Sequence, residues 1–210
     1  MEKLVYIPVD SIKLEWMLEI KENSKGLVIF SHGAGSSRKS PRNNYVANVL
    51  REAGLSTLLF DLLTEEEDQV YENRFEIGLL TERLKEVTKW LKNQKELKDF
   101  KLGYFGSSTG AASALNAAAD FGDEISAVVS RGGRPDLSKD FLPQVKAPTL
   151  FIVGGNDDVV IELNQQAYDL LKTEKELSII PGATHLFEEP GTLEEVAKQA
   201  ASFFKKQLLS

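Results

Sequence analysis

The chain has 210 residues, a net charge of −7, and 42% apolar against 27% charged residues, the profile of an ordinary globular protein expected to form a single domain, 1–210. The negative charge argues against nucleic-acid and anionic-membrane partners, because phosphates repel it, and leaves a small-molecule substrate as the expected partner. With no cysteine and only two histidines, His32 and His185, disulfides, thiolate chemistry and a His-rich metal site are excluded; no metal and no cofactor is expected.

The first segment, MEKLVYIPVDSIKLEW, carries charges early and lacks a long apolar core, so a signal peptide is not expected. No stretch approaches the ~18 apolar residues of a membrane span. A cytoplasmic location is the expectation, with monomer and homodimer both open. Residues 3–9 and 12–20 are β-rich and read as an antiparallel hairpin turning at Asp10-Ser11. Short apolar runs follow at 27–31, 56–60, 101–105, 127–130, 149–153 and 177–180. Runs of this kind fit strands buried on both faces.

Helical periodicity lies between the runs. Over 41–53, Tyr45, Val46, Val49, Leu50 and Ala53 share one face, with Ser40 as cap, Pro41 in first position and Gly54 as a stop. The acidic stretch TEEED, 64–68, reads as a solvated loop or helix start. Residues 73–93 repeat Ile77, Leu80, Leu84, Val87 and Leu91 at helix spacing, and Leu163, Ala167, Leu170 and Leu171 do the same. The last helix opens with Thr192 and Glu195 in capping-box spacing and runs through Phe204 to Leu208. Strand alternating with helix gives an α/β fold: a mostly parallel sheet of about eight strands, an N-terminal antiparallel hairpin, and helices on both faces. In such sheets ligands bind at the carboxyl ends of the strands.

Those ends carry HGAGSSRKSPRN after 27–31, GSSTG after 101–105, RGGRPD after 127–130, GGNDD after 149–153 and PGATHLFEEPG after 177–180. Gly106-Ser107-Ser108-Thr109-Gly110 fits G-x-S-x-G with Ser108 central, between a strand and an Ala-rich helix. Small neighbours permit the sharp turn such a serine needs, and the helix N-terminus favours a developing oxyanion. A hydroxyl near neutral pH needs a base. His185 stands after Ser108 and an aspartate in chain order, whereas His32 is expected to shape the turn at HGAG. The acid that orients the imidazole comes from Asp157 or the adjacent Asp158, either of which could instead cap the helix starting near 160. The oxyanion hole needs two N–H donors: Thr109 as the residue after the nucleophile, and Ala34, with Gly35 as second choice, from the loop after 27–31.

Taken together these motifs resemble the α/β-hydrolase superfamily, and within it the small dienelactone-hydrolase-like branch without a lid. The likeness runs from VIFSHGAGSSRKSPRN through GYFGSSTGAASAL and SRGGRPDL to LFIVGGNDDVVIELN and IIPGATHLFEEPGTLEEV. It implies a Ser108–His185–Asp157 triad acting through an acyl-enzyme, with Ala34 and Thr109 as oxyanion donors. Dienelactone hydrolases proper carry a cysteine nucleophile, which this chain lacks, so lactone specificity does not carry over. The serine form resembles hydrolases sometimes found beside a phosphoribosyltransferase-like domain, and no such second domain is expected here.

Only residues 131–148 separate strands 127–130 and 149–153, so no lid is expected and the site should be open to a small ester, thioester or lactone. Arg38, Arg131 and Arg134 follow strands at this edge. With Gly35 they are candidates for binding an anionic substrate. The competing reading pairs these arginines with local Asp and Glu to order the loops. Two other readings of the whole chain stand beside the hydrolase: a non-catalytic binding module on the same fold, and an acyltransferase using the same triad.

Overall fold

A computed structural model describes residues 5–9 and 12–210. Its centre is one eight-stranded sheet in the order β1-β2-β4-β3-β5-β6-β7-β8. Strands β1 (Val5–Val9) and β2 (Ile12–Glu19) pair antiparallel from Val5↔Trp16 to Val9↔Ile12, as the alternating N-terminal pattern predicts. The turn expected at Asp10-Ser11 lies outside the described residues. β2 then pairs antiparallel with β4 (Ser56–Phe60). From β4 onward the pairing is parallel, through β3 (Gly26–Ser31), β5 (Lys101–Ser107), β6 (Ile125–Arg131), β7 (Thr149–Gly154) and β8 (Lys175–Ile180).

Strand alternation splits the core into two layers. Leu27, Ile29, Leu58, Tyr104, Val128 and Phe151 face one side. There they meet α3 (Ile77–Lys92), α4 (Thr109–Phe121) and α5 (Asp158–Leu170). Val28, Phe30, Leu59, Phe105, Val129 and Ile152 face the other side, against α1 (Pro41–Glu52) and α6 (Thr192–Leu208). Each central strand is apolar on both faces because both are covered. β8, at the sheet edge, is only partly buried along most of its length.

Two elements depart from the periodicity. Ser40 caps α1 as predicted, accepting the Asn43 N–H, but the stretch predicted as one helix over 73–93 begins at Ile77. Ahead of it lie a four-residue helix, α2 (Glu65–Asp68), and a 3-10 turn, Tyr71–Phe75. Thr64 and Glu67 form a capping box that starts α2, and the extended Val70 and the non-helical Glu76 interrupt the chain before α3. Residues 132–148 hold only two short 3-10 turns, Pro135–Ser138 and Leu142–Gln144, so no lid covers the sheet edge there. Among the described residues, no helix is long and apolar enough to cross a membrane.

Candidate active site

β5 ends at Ser107 and α4 begins at Thr109, so one residue, Ser108, must reverse the chain. It does so at φ 51°, ψ −123°, a left-handed conformation that costs a non-glycine residue free energy. The turn is held from both sides. The Ser108 N–H donates to the Arg131 carbonyl at 3.3 Å, and the Ser108 carbonyl accepts from the N–H groups of Ala111 and Arg134, both at 3.1 Å. Close approach makes the sharp turn possible: a Cβ at Gly110 would lie 2.1 Å from the Ser31 carbonyl oxygen and 2.4 Å from that of His32. Ser107 is buried at the end of its strand, while Ser108 is partly exposed, as the elbow geometry predicts.

The loop after β7 and the loop after β8 are stitched together. Gly155 N–H donates to Ile180 O at 2.8 Å, Asn156 N–H to Ala183 O at 2.9 Å, and Asn156 Nδ2 to Gly182 O at 3.0 Å. Gly154 lies against the Ala183 carbonyl, where any Cβ would approach to 2.5 Å. This fixes Asp157 against His185: His185 Nδ1 and Asp157 Oδ2 are 2.7 Å apart. Asp157 stands at the cap position of α5 but its side chain caps nothing; the carboxylate is given to the imidazole instead. Asp158 is the exposed first residue of α5. Thr184, next to His185, donates its N–H and its hydroxyl to Glu189, which holds that carboxyl below its usual range and ties down the loop.

Ser108 and His185 flank the same short segment. Arg131 accepts from Ser108, and a Cβ on Gly132 would lie 3.5 Å from His185 Cε1. No hydrogen bond joins the Ser108 hydroxyl to His185 among the described residues, a looseness common when no substrate is bound. His32 has another task. Its Nε2 accepts the Leu62 N–H at 3.0 Å, leaving the proton on Nδ1 to donate to Gly33 O, and burial lowers its pKa. It is a neutral strut between the ends of β3 and β4.

At the predicted oxyanion hole the structure differs from the sequence reading. The Ala34 N–H is engaged, donating to the Thr109 hydroxyl at 2.9 Å. Thr109 is the first residue of α4, so its own N–H has no acceptor within the helix. Gly35 follows Ala34 at φ +68°, beside a small recess lined by Leu62, Arg74 and Leu80.

The three arginines separate. Arg38 is buried in ion pairs with Asp61 and Glu15, and its N–H also donates to Asp61. Arg134 forms a bidentate pair with Asp136, at 2.9 and 2.8 Å, which raises its pKa. These two guanidinium groups order loops and the hairpin, and only the Arg134 backbone N–H meets the elbow. Arg131 has no carboxylate partner among the described residues. A concave volume of about 720 Å³ lies beside Arg38, lined by Glu15, Asp61, Thr64 and Glu66; Ser108, Asp157 and His185 are not part of its wall.

The order of these strands, with a strained serine between strand and helix, defines the α/β-hydrolase fold. The model of the dienelactone hydrolase family matches residues 17–209. The crystal structure of dienelactone hydrolase from Anabaena variabilis superposes at TM-score 0.96 with 52% identity, over 99% of this chain and 98% of that one. Est1E from Butyrivibrio proteoclasticus shares the fold at TM-score 0.82 and 21% identity, over 97% and 98% of the two chains. A curated relative from Mycobacterium tuberculosis, named "Putative phosphoribosyl transferase Rv0571c", is 57% identical over 187 residues, 89% of this chain and 42% of that protein. The chain thus spans less than half the length of that relative. It belongs to the dienelactone hydrolase family, and family and fold support a hydrolase.

Proposed function

We propose that the chain is a serine hydrolase that cleaves a small ester, thioester or lactone through an acyl-enzyme on Ser108. The observation that carries this reading is the strained Ser108 at the head of α4, across β6 from a His185–Asp157 pair whose carboxylate has forgone its helix cap. Ser108 Oγ attacks the carbonyl carbon while its proton passes to His185 Nε2. Asp157 holds the proton on Nδ1 and stabilises the imidazolium that forms. Collapse of the tetrahedral intermediate expels the alcohol or thiol, which takes the proton from His185. Water then attacks the acyl-enzyme by the same route, releasing acid and free Ser108. Intact-mass measurement after a fluorophosphonate probe tests the reading. The wild type should gain one adduct and Ser108→Ala none; a well-folded wild type that stays unlabelled would overturn it.

In this reading the oxyanion is received by the Thr109 N–H and the Thr109 hydroxyl. The hydroxyl oxygen accepts from Ala34, so its own proton is free to donate, and the bond from Ala34 polarises it. Thr109→Val places a methyl where the hydroxyl stood and shields the Ala34 N–H. Its kcat on a short-chain ester is expected to fall about 10²-fold, the loss of one oxyanion donor, with KM little changed and Thr109→Ser near wild type. Equal rates for the valine and serine variants would remove the hydroxyl from the mechanism.

A further inference from the structure

Arg131 closes β6 in register with Ser107, on the sheet face that packs against α1 and α6. Only 7% of the residue is exposed. A guanidinium carries five N–H donors. One hydrogen bond accounts for a single donor here, from Nη2 to Asn43 Oδ1 at a long 3.4 Å. Among the described residues Nε is buried with no partner. The Phe187 ring lies 5.7 Å from Cζ, a contact that offsets part of the charge and accepts no hydrogen bond.

Burial, and then the Arg42 guanidinium, lower the Arg131 pKa to about 10. Arg42 is the second residue of α1; its Nη1 reaches the exposed Glu188 at 2.9 Å, and among the described residues its Nε is also buried without a partner. As a first-turn donor the Arg42 N–H has no intrahelical acceptor, and the Ser40 hydroxyl accepts from Asn43 instead. Two guanidinium groups and a helix N-terminus therefore meet where α1 begins opposite residues 185–188. Arg131 is also the residue whose carbonyl accepts the Ser108 N–H. A buried cation without a counter-charge is unfavourable in isolation, and an anion removes that cost.

We propose that Arg131, Arg42 and the first turn of α1 form an oxyanion subsite that holds a phosphate group carried by the substrate. Two cations and a helix N-terminus suit a dianion better than a single carboxylate. The placement of that phosphate on the molecule cleaved at Ser108 rests on the serine hydrolase reading. The existence of the subsite does not.

The first test is therefore a binding measurement. Inorganic phosphate titrated against chloride at constant ionic strength should raise the Tm of the wild type progressively. Arg131→Met and Arg42→Gln should each abolish the rise. In chloride alone Arg131→Met should melt higher than wild type, since an apolar side chain replaces an uncompensated charge. A lower Tm would mean the guanidinium is already compensated and would overturn the proposal. So would a wild type indifferent to phosphate, a response kept in both variants, or an equal response to acetate. The second test compares a neutral ester with the same ester carrying a phosphate on its alcohol. Arg131→Met should lose about tenfold or more in kcat/KM on the phosphorylated ester relative to its loss on the neutral one; equal loss on both would overturn the assignment to substrate. If the fluorophosphonate probe fails to label Ser108, the hydrolase reading falls while the Tm result still decides the subsite.

Discussion

Asp157→Asn is expected to lower kcat on a short-chain ester by about 10⁴-fold, because an amide at that position favours the wrong imidazole tautomer and cannot stabilise the imidazolium. Asp158→Asn should stay within about threefold of wild type, as surface changes usually do. The contrast follows from where the two carboxylates point. Asp157 leaves α5 uncapped and meets His185 Nδ1 at 2.7 Å, whereas Asp158 faces solvent one residue later. Steady-state rates of both variants, with Ser108 labelling as a second readout, check this. Labelling of Asp157→Asn should slow along with turnover. Equal losses in the two variants would mean that helix capping and not base orientation is the role of this loop.

Gly110→Ala should destabilise the fold by about 3 kcal/mol or more, at the upper end of overpacking effects. The added Cβ would sit 2.1 Å from the Ser31 carbonyl oxygen and 2.4 Å from the His32 carbonyl oxygen, and backbone cannot swing aside as a side chain can. To relieve the clash, α4 must lift from the sheet. That would pull apart the buried Ser31–Ser113 hydroxyl pair at 2.7 Å and displace the N-terminal turn that carries Thr109. Urea denaturation followed by circular dichroism measures the loss. A midpoint within error of wild type would show that the helix has slack the structure does not display.

Much of the site could be read from the chain because its parts obey local rules. Gly106-Ser107-Ser108-Thr109-Gly110 between an apolar run and an alanine-rich stretch demands a sharp turn, and Ser108 takes it at φ 51°. Strand and loop order put Asp157, Asp158 and His185 at strand ends, and the family resemblance pointed to Asp157. What could not be read depends on side-chain directions and distant partners. Arg38, Arg131 and Arg134 look alike in sequence, each just after a strand. Arg38 finds Asp61 and Glu15, Arg134 finds Asp136, and Arg131 finds no carboxylate among the described residues. Only the folded register decides which guanidinium is left over. The Thr109 hydroxyl on the Ala34 N–H is equally invisible, since a rotamer across 75 residues of chain leaves no local pattern. The helix boundary at Ile77 was hidden for another reason: Tyr71–Phe75 is one tight 3-10 turn, too short to register against the long apolar repeat that follows.

The stitching of the 154–157 loop to the 180–183 loop also bears on motion. Asp157 and His185 ride on one stitched piece, and Ser108 rides on another, clamped between β3, β5 and α4. The two pieces meet at Arg131-Gly132, where Gly132 adopts φ +51° and donates its N–H to Ile152 at 2.8 Å. A site divided in this way has one soft coordinate, the gap between hydroxyl and imidazole. In the proposed hydrolase, fluctuation along it would open and close the proton path while each half keeps its own hydrogen bonds. Substrate ordering would then act by narrowing the spread of that single distance.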